Sequence, residues 1–338
     1  MNAPETDNKP VSTSPIPTGV LITVAICTRN RVNFLQRAIE SVLPQMTDET
    51  ELLIVDNAST DDTAEVATRL AAGHPRLTVC RENEIGVSAA RNTALKKAHG
   101  QYVLFLDDDA TAEPGWLATY QRFLSAPPSG KIAVAGGAVF TIEYEILPPS
   151  SVNPDGVFDL GNSQKRLPYL DCLLGGNSAY SREAALAVGM FDTQLGRKGN
   201  QMMSREESDL NLRLQNAGYE IWWLPGAAIR HFVSASRRKF RARMRARFDE
   251  GRSIAIQRLK SRRKGLNREF YRVGRVVVAP FHALLCLLAA LFTLPWRHRQ
   301  MGLLLRAVLI AGIGCQMLVN WSSATSGTTM TKTATGDS

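Results

Sequence analysis

An apolar stretch runs directly into three adjacent carboxylates in this chain. The five residues Tyr102–Leu106 are typical of a buried strand, and Asp107, Asp108 and Asp109 follow without a spacer. In open α/β sheets, ligands bind at the carboxyl ends of the strands, so an acid cluster in that place faces the binding crevice. This stretch therefore restricts the chain to folds in which a buried strand ends at a ligand-binding site and places acidic side chains there.

The acid cluster, Asp107–Asp109, predicts a bound divalent cation. Like charges at this spacing repel one another, and they ionise together when a cation lies between them. Mg²⁺ and Mn²⁺ are expected because they prefer oxygen ligands and join protein carboxylates to substrate phosphates. A calcium loop counted from Asp107 is disfavoured, since Ala112 stands where Gly is needed and Ala118 where Glu is needed. The alternative is a solvated acidic turn ahead of a helix that starts near Glu113.

Strands and helices alternate along the first half of the chain. Helices are predicted between the strands, one of them from about Val87 to His99, followed by Gly100, and another capped by Ser59 or Thr60. This alternation predicts an α/β fold, with a mostly parallel sheet and helices on both faces. The predicted strands are 21–27, 52–55, 77–80, 102–106, 132–135 and 220–225.

Two common nucleotide-binding loops are absent from the sequence. A dinucleotide fold needs Gly-x-Gly-x-x-Gly after its first strand, and residues 27–31 contain no glycine. A Walker-type phosphate loop is excluded because Ile132 follows Gly130 and Lys131, and Ser125 stands where the first Gly is needed. A nucleotide in this protein would therefore be held by carboxylates, a metal and arginine.

Four short segments carry a resemblance to a known family. They are VAICTRN at 24–30, VDNASTD at 55–61, ARN at 90–92 and FLDDD at 105–109. In this order and spacing they resemble the family-2 inverting glycosyltransferases, which have the GT-A fold, and the resemblance covers about residues 20–236. The family uses nucleotide-diphosphate sugars as donors, so the resemblance implies an enzyme.

The resemblance also implies roles for individual residues. Asp56 would hold the nucleobase, Arg91 would lie by the nucleotide and Asp107 would contact the ribose side. Asp109 would ligate Mg²⁺ or Mn²⁺. Considered without the resemblance, Asp56 fits equally well as a turn-forming residue before a helix. The implied nucleotide-sugar site comprises Thr28, Asp56, Arg91, Asp107 and Asp108.

Inverting sugar transfer needs a carboxylate that takes the proton of the acceptor hydroxyl. The family's Glu-Asp pair maps this base onto Glu207, where the chain has Glu instead of Asp, and Glu206 is the second candidate. The alternative is a capping box between Ser204 and Glu207, which would occupy the same carboxylate. By the resemblance, His231 would join Asp109 in the metal site, although a single His is more often structural.

Two further segments are predicted to border the site. Residues 146–168 are rich in Pro, Asn, Ser, Asp and Gly, and a long loop of this kind is usually functional, so it is a candidate acceptor-side lid. Residues 175–179, Gly-Gly-Asn-Ser-Ala, resemble the family's segment beneath the donor sugar and acceptor. An ordinary glycine turn is the alternative for the second segment.

The positive charge of the chain is concentrated near its C-terminus. Residues 237–275 hold 16 Lys or Arg against three acidic residues, a net +13, whereas the whole chain carries +9. Apolar residues are interleaved with the basic ones, which predicts basic amphipathic helices. Residues 276–321 are largely apolar and include two stretches that are each long enough to span a bilayer.

An interfacial or re-entrant helix pair is favoured over two full spans at residues 276–321. The short turn at 297–300 is positively charged, and Arg306 lies inside the second stretch. The basic helices would then attach to an anionic inner leaflet. The alternative is a buried helix pair of a soluble domain. This C-terminal pattern also resembles bacterial exopolysaccharide glucosyltransferases, which elongate polyprenyl-diphosphate-linked oligosaccharides.

The ends of the chain and its cysteines complete the predicted organisation. Residues 1–19 and 322–338 are expected to be disordered tails, and the first has no apolar core that would form a secretory signal. Five scattered cysteines without a CxxC pair favour a reducing compartment. The predicted domains are therefore a transferase domain at 20–236, basic helices at 237–275 and an apolar pair at 276–321.

Together these features predict a hexosyltransferase that uses a nucleotide-diphosphate sugar, with a UDP-sugar as the expected donor. The acceptor would be a lipid-linked or membrane-proximal glycan in polysaccharide synthesis, at the cytoplasmic face of the inner membrane. One alternative is a degenerate transferase domain that binds a membrane surface or nucleic acid, although no nucleic-acid motif accompanies the basic segment. A second alternative is nucleotidyl transfer on the same fold, which would release pyrophosphate.

Overall fold

A computed structural model describes residues 19–142, 157–171, 173–233, 239–261, 279–280, 283–284, 286–287 and 304–317. Within these ranges the chain forms one ten-stranded sheet. The strands are β1 Ile22–Thr28, β2 Thr50–Asp56, β3 Leu77–Arg81, β4 Tyr102–Leu106, β5 Ala110–Ala112, β6 Ile132–Ile142, β7 Val157–Phe158, β8 Lys165–Arg166, β9 Asn177–Ser181 and β10 Glu220–Phe232. The helices are α1 Val32–Val42, α2 Thr63–Ala72, α3 Val87–Lys97, α4 Trp116–Ser125, α5 Arg182–Ala187, α6 Glu206–Asn216 and α7 Phe240–Ser261.

The strand order is β3-β2-β1-β4-β9-β6-β10-β5, with β7 beside β6 and β8 beside β10. Strands β3, β2, β1 and β4 are mutually parallel, and β6 is parallel to β10. Strand β9 joins the two parallel groups by antiparallel pairing with β4 and β6. The carboxyl ends of β1 and β4 are thus adjacent, and the acid cluster follows β4 there.

Two apolar cores cover the two faces of the sheet. Alternate residues of β1, β2 and β4 point to opposite faces, as the two-residue period of a strand requires. Helices α1, α2 and α4 pack on one face, and α3, α5 and α6 pack on the other. The prediction of an α/β sheet with helices on both faces is therefore confirmed.

The predicted cap of α2 is wrong. The helix begins at Thr63, and the side chain of the preceding N-cap residue, Asp62, makes no capping hydrogen bond. Asp61 Oδ1 instead accepts the backbone N–H of Thr63 at 3.1 Å. Ser59 is engaged elsewhere, because its Oγ accepts the backbone N–H of Asn30 at 3.0 Å. Because Ser59 is bonded to the turn that follows β1, the helix starts later in the chain than predicted, at Thr63.

The described part of the basic segment is helix α7, which packs against the helical residues 304–317. Ala255 and Leu259 of α7 are buried with Ile313 and Met317. None of the helices in the described ranges has both the length and the apolar content needed to cross a membrane. Residues 1–18 and 322–338 of the predicted tails, residues 146–156 of the predicted lid, and most of residues 262–303 lie outside the described residues.

Two glycines let α7 and residues 304–317 approach closely. A Cβ at Gly251 would lie 2.0 Å from the carbonyl oxygen of Leu309, and a Cβ at Gly312 would lie 2.0 Å from that of Phe248. Both distances are far below van der Waals contact, and both obstructing atoms belong to the backbone. Side-chain rotation therefore cannot relieve the overlap, and the two helices would have to separate.

Gly251→Ala is accordingly expected to destabilise the protein, although Ala normally favours a helix by about 1 kcal/mol over Gly. Overpacking of this kind costs about 1–3 kcal/mol, so we expect the free energy of unfolding to fall by that amount in urea titration. Gly130→Ala is the matched control, since a Cβ there would meet no atom within 4 Å. Equal stability of the two variants would contradict the close crossing.

Candidate active site

A cavity of about 600 Å³ opens at the carboxyl ends of β1 and β4. This volume lies in the range of small-molecule sites. Eight of the nine predicted site residues line it, and Asp56 does not. The eight residues are Thr28, Arg91, Asp107, Asp108, Asp109, Glu206, Glu207 and His231.

The fold brings His231 to the acid cluster. Strand β5 follows the cluster and pairs with β10 so that Ala110 lies opposite His231. His231 Nε2 lies 3.1 Å from Asp109 Oδ1 and 3.9 Å from Asp107 Oδ2. One potential ligand atom from each of the three residues lies within 4.8 Å of the other two. Two carboxylates and an imidazole at this spacing fit a divalent metal such as Mn²⁺.

Asp108 is not part of this trio, and residues at and just after the end of β1 hold its carboxylate. Thr28 Oγ1 donates a hydrogen bond of 2.8 Å to Asp108 Oδ2, and Arg31 Nη1 lies 3.1 Å from Asp108 Oδ1. Burial raises the pKa of Asp108 to about 6, and the nearby Arg31 charge opposes that rise. Arg31 also pairs with Asp109. Arg31 was not predicted as a site residue, because a basic residue beside a turn usually lies in solvent.

Arg91 links the acid cluster to helix α6. It is 5% exposed, and its guanidinium lies against the rings of both Phe105 and Phe191, 5.6 Å from each centroid. Its Nη1 is 3.0 Å from Glu206 Oε1, and its Nη2 is 3.3 Å from Asp107 Oδ1. Phe191 has no sequence signal, because it follows a glycine-containing turn with no strand or helix pattern.

The predicted glycine segment borders both ion pairs. A Cβ at Gly175 would lie 2.6 Å from Arg91 Nη1, and a Cβ at Gly176 would lie 2.2 Å from Asp107 Oδ2. Side chains at these two positions would displace the guanidinium and the carboxylate. Glycine is therefore required here because the backbone approaches the charged groups closely.

Arg91→Met is expected to lower the free energy of unfolding by about 3–5 kcal/mol at alkaline pH, where Glu206 is ionised, because it leaves this buried carboxylate without its cation. Burial, then the charge of Glu207, raises the pKa of Glu206 above its ordinary value, while Arg91 opposes the rise. A raised carboxyl pKa gives stability that is lost as pH increases, so the penalty should shrink at acidic pH. Urea titrations at several pH values measure this trend.

Arg166→Ala is the control for this measurement. Arg166 pairs with Glu220 at 3.1 Å, but its side chain is 64% exposed. Exposed pairs contribute about 0–1 kcal/mol, so this variant should unfold almost as the unmodified protein does. Equal losses for Arg91→Met and Arg166→Ala would contradict the role given to Arg91.

The capping-box alternative for Glu207 is wrong. Helix α6 begins at Glu206, and the residue before it, Arg205, has a left-handed φ of 71°. The backbone N–H of Ser204 donates to Ser253 Oγ, so Ser204 lies outside the helix start. Glu207 Oε2 is buried and has no hydrogen-bond partner among the described residues. Both glutamates line the cavity, and Glu206 Oε2 likewise has no hydrogen-bond partner among the described residues. The two differ in that Glu206 Oε1 is bound by Arg91.

Asp56 lies behind the cavity wall at the end of β2. It is 1% exposed, and its carboxylate accepts hydrogen bonds from Arg81 Nη1 at 2.7 Å and from the Ser59 backbone N–H at 3.1 Å. The next residue, Asn57, lines the cavity. The nucleobase role of Asp56 thus stays a prediction.

Comparison with known proteins adds to these observations. Residues 23–189 match the model of the family described as "Glycosyl transferase family 2". A "Glucosyl-dolichyl phosphate glucuronosyltransferase" of Haloferax volcanii is 25% identical over 226 residues, which are 65% of this chain and 71% of that protein. The hyaluronan synthase of Pasteurella multocida is 33% identical over 105 residues, 31% of this chain and 11% of the synthase. The chain spans 14% or less of the length of three of the relatives that it matches.

The fold is shared with a solved GT-A glycosyltransferase. A mannosyltransferase from Pyrobaculum calidifontis, determined in complex with GDP-Man and Mn²⁺, aligns with a TM-score of 0.57 and 22% sequence identity. The alignment covers 92% of this chain and 91% of the mannosyltransferase. The predictions of the GT-A fold and of the family are confirmed, and residues 23–189 form a domain of glycosyl transferase family 2.

Proposed function

We propose that this protein is an inverting, metal-dependent hexosyltransferase that takes its sugar from a nucleotide-diphosphate donor. One observation carries the proposal: the Asp107–Asp109–His231 trio and Glu207, whose Oε2 has no hydrogen-bond partner among the described residues, line the same cavity. A diphosphate held at the trio would place a transferable sugar within reach of an acidic side chain. A UDP-sugar is the first donor to test, and the GDP-Man bound by the structural neighbour makes guanosine donors the second.

Asp107, Asp109 and His231 would hold Mg²⁺ or Mn²⁺ in this enzyme. When bound, the cation neutralises the charge of the departing diphosphate, which is Lewis-acid assistance. Arg31 contributes a fixed positive charge next to the trio through its contacts with Asp108 and Asp109. Arg91 holds the carboxylate of Asp107 in place from the other side.

Glu207 would act as the base in the transfer step. It would take the proton of the acceptor hydroxyl while that oxygen bonds to the anomeric carbon, and the bond from this carbon to the diphosphate oxygen would break. Glu206 is less suited to this role, since its Oε1 is 3.0 Å from the Arg91 guanidinium. In this proposal Arg91 anchors Glu206, and Glu207 is the reactive carboxylate.

The proposed acceptor is a lipid-linked or membrane-proximal glycan at the cytoplasmic face of the inner membrane. Support comes from the dolichyl phosphate and hyaluronan in the names of the relatives. Helix α7 also exposes Arg241, Arg243, Arg245 and Arg247 together with Phe240. Each basic residue near an anionic leaflet contributes about 1 kcal/mol to membrane binding, so this helix could hold the enzyme near such an acceptor.

Calorimetric titration with UDP, GDP, CDP and dTDP tests the proposal directly. Each nucleotide is titrated with Mn²⁺ and again with EDTA. We expect one of them to bind with Mn²⁺ and to lose its binding in EDTA, since the acid trio attracts a diphosphate only through a cation. Absence of binding under every condition would overturn the donor site and favour a degenerate domain.

The reaction products separate sugar transfer from nucleotidyl transfer. The matching nucleotide sugar is incubated with enzyme and acceptor, and the released phosphates are identified. A nucleoside diphosphate is expected, whereas pyrophosphate would show that the fold carries the other chemistry.

A further inference from the structure

Helix α7 presents three polar residues at a spacing of four. Asp249, Ser253 and Gln257 therefore lie along one face of the helix. This row does not face solvent, because Asp249 is 5% exposed and Ser253 is fully buried. We refer to these three residues as the polar row.

The polar row contacts the segment that leads into α6. Asp249 Oδ2 accepts the backbone N–H of Met202 at 2.7 Å, and Ser253 Oγ accepts that of Ser204 at 3.0 Å. Gln257 Oε1 accepts a hydrogen bond from the Arg205 side chain at 3.0 Å. Three of the four residues in the 202–205 segment are thus held by one helix.

The remaining residue of the segment, Met203, is held by apolar contact and by a hydrogen bond of 3.7 Å that Ser253 Oγ donates to its Sδ. It is 4% exposed and is packed with Leu195 and with Ile256 of α7. Met203 also lines the cavity. Apolar packing alone would allow the segment to slide along α7, whereas the two hydrogen bonds to backbone N–H groups fix its position.

The held segment ends where the catalytic carboxylates begin. Arg205 adopts a left-handed φ of 71°, a conformation that is costly for a residue other than glycine. Such a conformation persists when surrounding contacts determine it, and the polar row supplies those contacts. The next two residues are Glu206 and Glu207, so a shift of the segment would move both carboxylates.

We propose that the polar row of α7 positions Glu207 for proton transfer by fixing the 202–205 segment. Asp249 and Ser253 are the main positioning residues, since they hold the backbone, and Gln257 supports Arg205. This inference rests on the proposed function and adds to it that the C-terminal helices are part of the catalytic apparatus.

The C-terminal residues hold α7 in turn. Arg252 Nε donates a 2.9 Å hydrogen bond to Gln316 Oε1, beside the glycine crossing at Gly251 and Gly312. The helical residues 304–317 therefore restrain α7, and α7 restrains the catalytic segment. A shift of residues 304–317 would therefore move α7 and the 202–205 segment, and with them the side chain of Glu207.

Two variants of the full chain test the proposal. Ser253→Ala removes one oxygen atom, and Asp249→Leu removes the acceptor of the Met202 N–H. A misplacement of about 1 Å at a reacting group costs on the order of 100-fold, so we expect kcat for sugar transfer to fall by about 10- to 100-fold in each. The dissociation constant of the donor nucleotide with Mn²⁺ should change less than about twofold, because the polar row does not line the cavity.

Two further variants act as controls. Asp249→Asn keeps an oxygen that accepts the Met202 N–H and is expected to retain most of kcat. Glu250→Ala removes a half-buried neighbour on α7 that pairs with Arg247 at the surface, and it should leave kcat unchanged. Amide hydrogen exchange at Ser204 gives a readout besides activity, and Ser253→Ala should accelerate it.

The outcomes are distinguishable. Faster exchange at Ser204 together with an unchanged kcat in Ser253→Ala would overturn the proposal. Parallel losses of kcat and nucleotide binding would also overturn it, since they would indicate general damage to the fold. If Asp249→Leu does not fold, Ser253→Ala decides alone, because it barely changes the packed volume. An unmodified protein that binds no nucleotide would refute the proposed function instead.

Discussion

Asp109→Ala is expected to lower kcat/KM for sugar transfer by about 1,000-fold or more. The variant removes one member of the proposed metal trio and the carboxylate that lies 3.1 Å from His231 Nε2. A cation at a departing phosphate contributes several kcal/mol to the transition state, and each 1.4 kcal/mol corresponds to a tenfold rate change. Donor binding measured with Mn²⁺ should fall to the level that the unmodified protein shows in EDTA.

Asp48→Ala is the matched control for this experiment. Asp48 pairs with Arg76 and lies far from the acid cluster in the sequence. Its side chain is fully exposed, whereas Asp109 is buried. Asp48→Ala should change neither activity nor nucleotide binding, and circular dichroism should show that both variants keep the α/β fold. An Asp109→Ala enzyme with nearly full activity would refute the metal site.

The parallel part of the fold could be predicted because its strands are apolar and its helices are periodic. β10 was harder to predict, and its length was missed. Pro225 and Gly226 interrupt the pattern, which favours a strand that ends at Pro225. In the structure, the register with β6 shifts between Leu224 and Ile229, so the strand passes this interruption and continues to Phe232. That continuation is what carries His231 to Asp109.

The site was predicted where its residues belong to the family's motifs and missed where they depend on tertiary contacts. Asp107, Asp109 and Glu207 lie in motifs that the resemblance covers. Arg31 has no such signal, because its partners lie 77 and 78 residues away along the chain. A residue that contacts distant positions gives no periodic pattern of its own.

The role of the polar row of α7 could not be predicted from the sequence either, because it too depends on contacts with distant residues. In a basic amphipathic helix, Ser253 and Gln257 would be assigned to the solvent face. A polar side chain that accepts a hydrogen bond from a packed backbone has the same sequence signature as one that contacts water. Burial distinguishes the two cases, and burial depends on residues 202–205, which are nearly 50 positions away.

Glu207→Gln is expected to lower kcat by about 100- to 10,000-fold, which is the usual contribution of a general base. The amide has almost the same shape as the carboxylate but cannot take the acceptor's proton. The dissociation constant of the donor nucleotide should stay unchanged, because the proposed diphosphate contacts are made by the acid trio. Single-turnover transfer assays and calorimetry measure the two quantities separately.

Glu206→Gln provides the comparison that assigns the base. Its remaining carbonyl oxygen can still accept the hydrogen bond from Arg91, which lies 3.0 Å from Glu206 Oε1, so positioning is largely kept. We therefore expect a smaller loss of kcat than in Glu207→Gln. The reverse ranking, with Glu206→Gln inactive and Glu207→Gln active, would move the proton-accepting role to Glu206. In that case Glu206 Oε2, which has no hydrogen-bond partner among the described residues, would take the proton while Arg91 holds Oε1.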